Sequence, residues 1–195
     1  FFDGFRTSHE YHKIEVMDME DIRPLVDEAD IKNFRERALT PERPVTRGTA
    51  ENPETFFTHR EACNAYYDAI PDVVEHYLGE ISKITGREYH NFSYYGAEDA
   101  ENIIILMGSA TEAAREAIDH LVAEGKKVGM VAVHLYRPFS VKYLFSAVPE
   151  TVKKIAVLDR TKEPGAEGEP LYLDVKSAFY EKENRPVIVG GRYGL

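Results

Sequence analysis

Several stretches of the 195-residue chain carry side chains of types and spacings that could do chemistry. His9-Glu10-Tyr11-His12 sets two imidazoles around a carboxylate, but three residues apart. A helical zinc site of the protease kind needs them four apart on one face, so no metal site is expected. The turn Leu106–Glu112, "LMGSATE", runs from an apolar stretch into a helix, where free amides meet phosphates. It has one glycine where dinucleotide folds use G-x-G-x-x-G, and Glu112 completes an S-x-x-E capping box with Ser109. A capped helix without a ligand is the expectation. The stretch 158–171, "LDRTKEPGAEGEPL", follows an apolar run at the end where open α/β sheets carry ligand crevices. Asp159, Arg160 and Lys162 offer charge there, whereas Glu163, Glu167 and Glu169 would repel a phosphate. That balance favours a docking loop, braced by an Asp159–Arg160 pair, over a phosphate cradle. The stretch 43–53, "RPVTRGTAENP", with Arg47 and Asn52, suits an anion, a neighbouring subunit or plain solvent equally well. Cys63 has no histidine recognisably spaced to activate it and reads as a small buried hydrophobe. No catalytic, cofactor-binding or metal-ligating residue is expected.

The elements that would position these groups change character near residue 60. Residues 1–60 are interrupted by Pro24, Pro41, Pro44 and Pro53. One short helix is plausible over Asp18–Glu36, with Pro24 in a first turn, and residues 39–57 suggest no regular structure. From about residue 61, Ile70, Val73, Val74, Tyr77, Leu78, Ile81 and Ile84 recur at three- and four-residue steps. They predict an amphipathic helix with Pro71 in its first position and Gly86 just past its end. Four nearly continuous apolar runs follow, at 102–107, 127–135, 153–158 and 186–190, as expected of parallel strands covered on both faces. Helices fit between them at 109–125, 140–148 and 170–181, giving a β-α-β-α-β-α-β alternation. The run "NFSYYG" at 91–96 lies too close to the next strand for a parallel crossover, so it is expected to be antiparallel at an edge.

Composition narrows the partners. A net charge of −10 argues against nucleic acid and an anionic membrane, either of which needs a basic face. One cysteine excludes an internal disulfide and an iron–sulfur cluster held by this chain alone. No apolar run approaches the ~20 residues of a membrane span or resembles a signal peptide, so a cytoplasmic location is expected. The chain begins Phe-Phe-Asp and stops at Gly-Arg-Tyr-Gly-Leu, which suggests an internal piece of a longer protein.

The strings "FFDGFRTSHE" (1–10), "RGTAENPETFF" (47–57), "YYGAEDAENIIILMGSATE" (94–112), "LYRPFS" (135–140), "VLDRTKEPGAEGEPLYLDV" (157–175) and "GGRYGL" (190–195) resemble pyruvate:ferredoxin (flavodoxin) oxidoreductase. They stand in the family's order and cover essentially the whole chain. The resemblance implies a parent, acting as a homodimer, that converts pyruvate and coenzyme A to acetyl-CoA and CO2. Its electrons pass through [4Fe–4S] clusters to ferredoxin or flavodoxin, and thiamine diphosphate with Mg2+ serves the chemistry. It further implies that residues 1–60 are the tail of a pyrimidine-binding domain. Residues 61–195 would form a domain similar to the transketolase C-terminal domain. That is a three-layer α/β/α sandwich on a mostly parallel five-strand sheet with one antiparallel edge strand. The segments of the family that hold thiamine and the clusters lie elsewhere, so no cofactor is expected on this segment. Arg6, Thr7, His9, Glu10, Arg47, Asn52, Asp159, Arg160 and Lys162 are the interface candidates. Two functions remain open: a structural and docking module, or a coenzyme A binding domain of the same enzyme.

Overall fold

The computed structural model describes residues 9, 11, 13–46, 48 and 50–194. The chain forms two units, one over Lys13–Glu88 and one built on the residues from Tyr89 onward.

In the first unit, α1 (Met19–Ile22) passes into a 3-10 turn over Arg23–Leu25 that holds Pro24. Val26 is extended, and α2 (Glu28–Glu36) restarts behind it, with the Asp27 carboxylate accepting from Ala29 N at 2.8 Å. The single helix expected over 18–36 is therefore two, because Pro24 withholds an amide from the first. Residues 53–57, expected to be irregular, instead open α3 (Pro53–Ala62), with Pro53 in its first turn. Helix α4 (Asn64–Thr85) starts seven residues earlier than expected and carries Pro71 inside it. Its end matches the expectation: Gly86 takes φ 69° and donates to Ser82 O at 2.9 Å. Among the described residues of 13–88 only Pro71 is buried.

In the second unit five strands form one sheet: β1 (Phe92–Gly96), β2 (Asn102–Leu106), β3 (Val128–Val133), β4 (Lys154–Asp159) and β5 (Val187–Arg192). Their order is β1-β3-β2-β4-β5. Every pairing is parallel except β1 with β3, which runs antiparallel from Phe92↔Val133 to Gly96↔Gly129. The five residues between β1 and β2 allow no parallel crossover, which is why β1 joins the edge in the opposite sense.

Helices α5 (Ala110–Ala123), α6 (Val141–Ala147) and α7 (Pro170–Ala178) are the crossovers. α5 ends where Gly125 turns to φ 81°, with Gly125 N bonded to Val122 O and Lys126 N to Leu121 O. That pair of bonds is the Schellman closure, and it needs a residue free to enter the left-handed region. At the other end of α5 the expected capping box is not formed, since Ser109 is itself in a helical conformation and makes no side-chain cap. Thr111 Oγ1 bonds Gly108 O at 2.8 Å there.

Helices lie on both faces of the sheet, in a three-layer arrangement. On one face Ile105, Val131, Ile155 and Val157 are fully buried against Leu144 of α6 and Leu171 and Val175 of α7. On the other, Ile118 of α5 packs with Leu106 and Met130. That second layer does not extend over β5, where Val187 and Val189 remain 62% and 54% exposed.

Candidate functional site

The order β3-β2-β4-β5 fixes where a ligand crevice would lie. β2 sends its connection to α5 on one face, and its neighbour β4 sends its own to α7 on the other. Adjacent strands whose loops part in this way open a crevice beyond their carboxyl ends, at the topological switch point. Its rims are the turn Met107–Ser109 after β2 and the loop 160–169 after β4.

Asp159, the last residue of β4, is buried, and its two carboxylate oxygens accept from Leu171 N and Tyr172 N, each at 3.1 Å. It thus caps α7 from an adjoining strand and fills the site where a helix N-terminus would hold an anion. Burial pushes its carboxyl up from the usual range, against the two amide bonds, which pull it down. Glu169, also buried, accepts from Glu163 N at 2.7 Å and from Arg192 Nη1 at 2.7 Å, with Lys162 Nζ at 3.7 Å. The Arg192 guanidinium holds this carboxyl below its usual range, and the Glu163 amide and Lys162 add to the effect. Lys162 also donates to Glu163 O at 3.1 Å. The loop is therefore braced by two carboxylates bonded to backbone amides, a role expected of an Asp159–Arg160 pair. Arg160 itself is half-buried with its side chain against Gly194, whereas residues 161–167 are exposed.

The gap between the rims is closed by Tyr193. Its amide donates to Asp159 O at 3.1 Å, and its hydroxyl donates to Met107 O at 2.9 Å. Burial raises the phenol above its usual range. Beyond it, Tyr136 OH donates to Asp174 at 3.0 Å, and Arg137 reaches the same carboxylate at 2.7 Å. Burial, with the Asp174 bond next, drives Tyr136 up to about 12.

A small open cleft of about 270 Å³ lies at the outer rim between Gly168, Tyr172, Gly190 and Arg192. The Tyr172 ring fills the space that side chains at Gly168 and Gly190 would need; a Cβ on Gly190 would stand 2.9 Å from Tyr172 Cγ. Gly168 and Gly190 thus serve ring packing and not a phosphate cradle, and Gly191 makes room for the Leu158 side chain.

Of the other sequence candidates, Asn52 is the exposed N-cap of α3, its carbonyl accepting from Thr55 N and Phe56 N, and His9 is exposed. Arg6, Thr7, Glu10 and Arg47 lie outside the described residues. Asp159, Arg160 and Lys162 are the candidates gathered in one place. Glu169, Arg192 and Tyr193 were not among the candidates; the one available signal was the pair of charges and the aromatic flanking the "GEP" and "GGRYG" turns. Cys63 is half-buried, with its thiol donating to His59 O at 3.3 Å. Among the described residues no group of three metal-ligating side chains occurs, and no helix is long and apolar enough to cross a membrane.

Two family models match the chain. "Pyruvate flavodoxin/ferredoxin oxidoreductase, thiamine diP-bdg" covers residues 1–78, and "Pyruvate:ferredoxin oxidoreductase core domain II" covers residues 100–194. The full chain is 60% identical to a pyruvate-flavodoxin oxidoreductase of Enterobacter agglomerans and 52% identical to the pyruvate:ferredoxin oxidoreductase of Moorella thermoacetica. It spans 17% of the length of each. A solved 2-oxoglutarate:ferredoxin oxidoreductase from Magnetococcus marinus aligns with 60% of this chain and 18% of its own, at 26% identity and a TM-score of 0.42. The first model's description invokes thiamine diphosphate, whose diphosphate needs convergent amides or cations shielded from water. The described residues 13–88 bury one side chain, Pro71, and the clefts there are open and lined by Glu28, Glu36 and Asp30 beside Lys32, Arg35 and Arg43. These described residues do not fit that cofactor.

Proposed function

Since the chain belongs to the pyruvate:ferredoxin (flavodoxin) oxidoreductase family, we propose that it is a structural and docking segment of such an enzyme. The carrying observation is that the chain's own Asp159 caps α7 and its Glu169 holds the loop after β4 from within, while residues 161–167 are exposed. A phosphate-bearing ligand such as coenzyme A would meet two carboxylates where it needs amides. An outward loop held from behind suits contact with another domain, because its shape is set before the partner arrives.

The parent reaction is pyruvate and coenzyme A to acetyl-CoA and CO2, with electrons passed to ferredoxin or flavodoxin. The partners of this segment are the other domains of the parent chain and, through them, a homodimer. Residues 1–60 are assigned to the end of the thiamine pyrimidine-binding domain and residues 61–195 to the transketolase C-terminal-like domain. Limited proteolysis tests that boundary: a resistant core starting near Thr58–Asn64 supports it, and one starting near Tyr89 moves it.

Glu167→Arg tests the docking role. Glu167 is exposed, so the melting temperature of the 195-residue chain should stay within about 4 °C, as an isolated surface charge contributes under ~1 kcal/mol. In the full-length enzyme the same change should weaken domain or subunit assembly and lower pyruvate-dependent dye reduction with it. Unchanged assembly and activity would remove the docking role. A rise in the melting temperature of the isolated chain with coenzyme A would instead favour a binding domain.

A further inference from the structure

We infer that Tyr193 is a built-in strap: it occupies the crevice at the switch point and ties its two rims together. This goes beyond the docking role and stands on the hydrogen bonds alone.

The geometry leaves the ring one route. Tyr193 starts beside the end of β4, where its amide bonds Asp159 O, and finishes on β2, where its hydroxyl bonds Met107 O. β4 lies between β5 and β2, so the side chain and its 2.9 Å hydrogen bond together cover a span of roughly two strand spacings, ~9.5 Å. The phenol therefore crosses the carboxyl end of β4, over the gap between the β2 turn and the β4 loop. In open α/β sheets that gap is where a ligand sits.

The bonds on either side make the strap a coupling. Met107 O belongs to the turn from which Gly108 and Thr111 start α5. Asp159 O belongs to the residue whose carboxylate caps α7. The neighbouring Arg192 holds Glu169, which in turn holds the amide of Glu163 inside the loop. One strand end thus fixes both rims, and Gly194, at φ 95°, lies against the Arg160 side chain. A strap of this kind keeps external ligands out and leaves the loop one position relative to the β2 turn.

Amide hydrogen exchange on the 195-residue chain tests this. Tyr193→Phe keeps the ring and removes one hydrogen bond. Exchange should rise about three- to tenfold in both 107–111 and 160–168, the size of one hydrogen bond, with the β3 amides unchanged. Tyr193→Ala should open the crevice, and p-cresol at millimolar concentration should restore protection in both rims of that variant while leaving the wild type unaffected. If Tyr193→Phe changes neither rim, or only the 107–111 rim, the coupling is absent. If p-cresol fails to restore protection in Tyr193→Ala, the ring does not fill a ligand-shaped gap. Should Tyr193→Ala loosen the whole sheet, Tyr193→Phe alone decides.

Discussion

Replacing Asp159 with alanine removes the acceptor for two amides at the start of α7. Leu171 is fully buried, so its N–H has no water to turn to, and Tyr172 N–H lies just behind it. An N-cap deletion costs ~1 kcal/mol, and leaving a buried donor unmade costs ~1–3 kcal/mol. The two combined predict a loss of ~2–4 kcal/mol for D159A. D159N keeps one acceptor oxygen and relieves a buried charge, so it should cost less, ~1–2 kcal/mol. The pH dependence has a definite sign. Burial raises the Asp159 carboxyl in the fold, so its contribution is fully present below the usual carboxylate range and shrinks as pH rises through the folded value. The D159N penalty should therefore be smaller at pH 7 than at pH 4. Urea unfolding followed by circular dichroism at both pH values measures this, with exchange of the α7 amides reporting where the loss falls. A D159A chain within ~0.5 kcal/mol of wild type would refute the capping argument, whereas a D159N penalty that grows toward neutral pH would show that the two amide bonds outweigh burial at this carboxyl.

Other expectations follow from single contacts. Gly190→Ala drives a Cβ to 2.9 Å from Tyr172 Cγ and should cost ~1–3 kcal/mol by urea unfolding, relieved by adding Tyr172→Leu. Ile105→Ala empties a fully buried position shared by the sheet and its helices, for a loss of ~2–5 kcal/mol; Val187→Ala, 62% exposed, should change stability by under ~0.5 kcal/mol. Glu169, Glu101 and Asp99 are held below their usual range by Arg192, Lys153 and Lys127 respectively. Their contributions are lost as pH falls through the folded values, so the melting temperature should drop below pH 4.5, and Glu169→Gln should flatten that fall.

The sheet was legible because its strands are apolar runs separated by polar helices with their own period. "NIIILM" and "GMVAV" leave no second reading once the spacing between them is that of a crossover. Even the sense of β1 followed, from the short step between "NFSYYG" and the next run. The long helix was visible but misplaced, since proline suits a first turn and Pro71 instead sits within a helix whose stripe continues past it. α3 was missed although Asn52-Pro53 is a start signal, because the surrounding prolines and charges carry no apolar stripe to follow it. The crevice was legible only in part. The loop after β4 was placed by its glycines and charges, but its braces come from residues distant in sequence. Met107 and Tyr193 are 86 residues apart, and Asp159 meets α7 twelve and thirteen residues on. No local pattern marks such pairs; the sheet order brings them together.

The uneven layering over β5 has a kinetic meaning. β5 pairs with a neighbour along one edge and is covered from one side, through Ile188, while Val187 and Val189 meet water. A strand with half the usual cover detaches at lower free energy than the interior strands β2 and β4. Tyr193 and Arg192 stand at its end, so one fraying event withdraws both together. Release of the loop after β4 is thereby a sub-global opening, reached while β1, β3 and β2 stay folded. Its rate is set by how firmly six residues hold to β4, and not by the stability of the sheet as a whole.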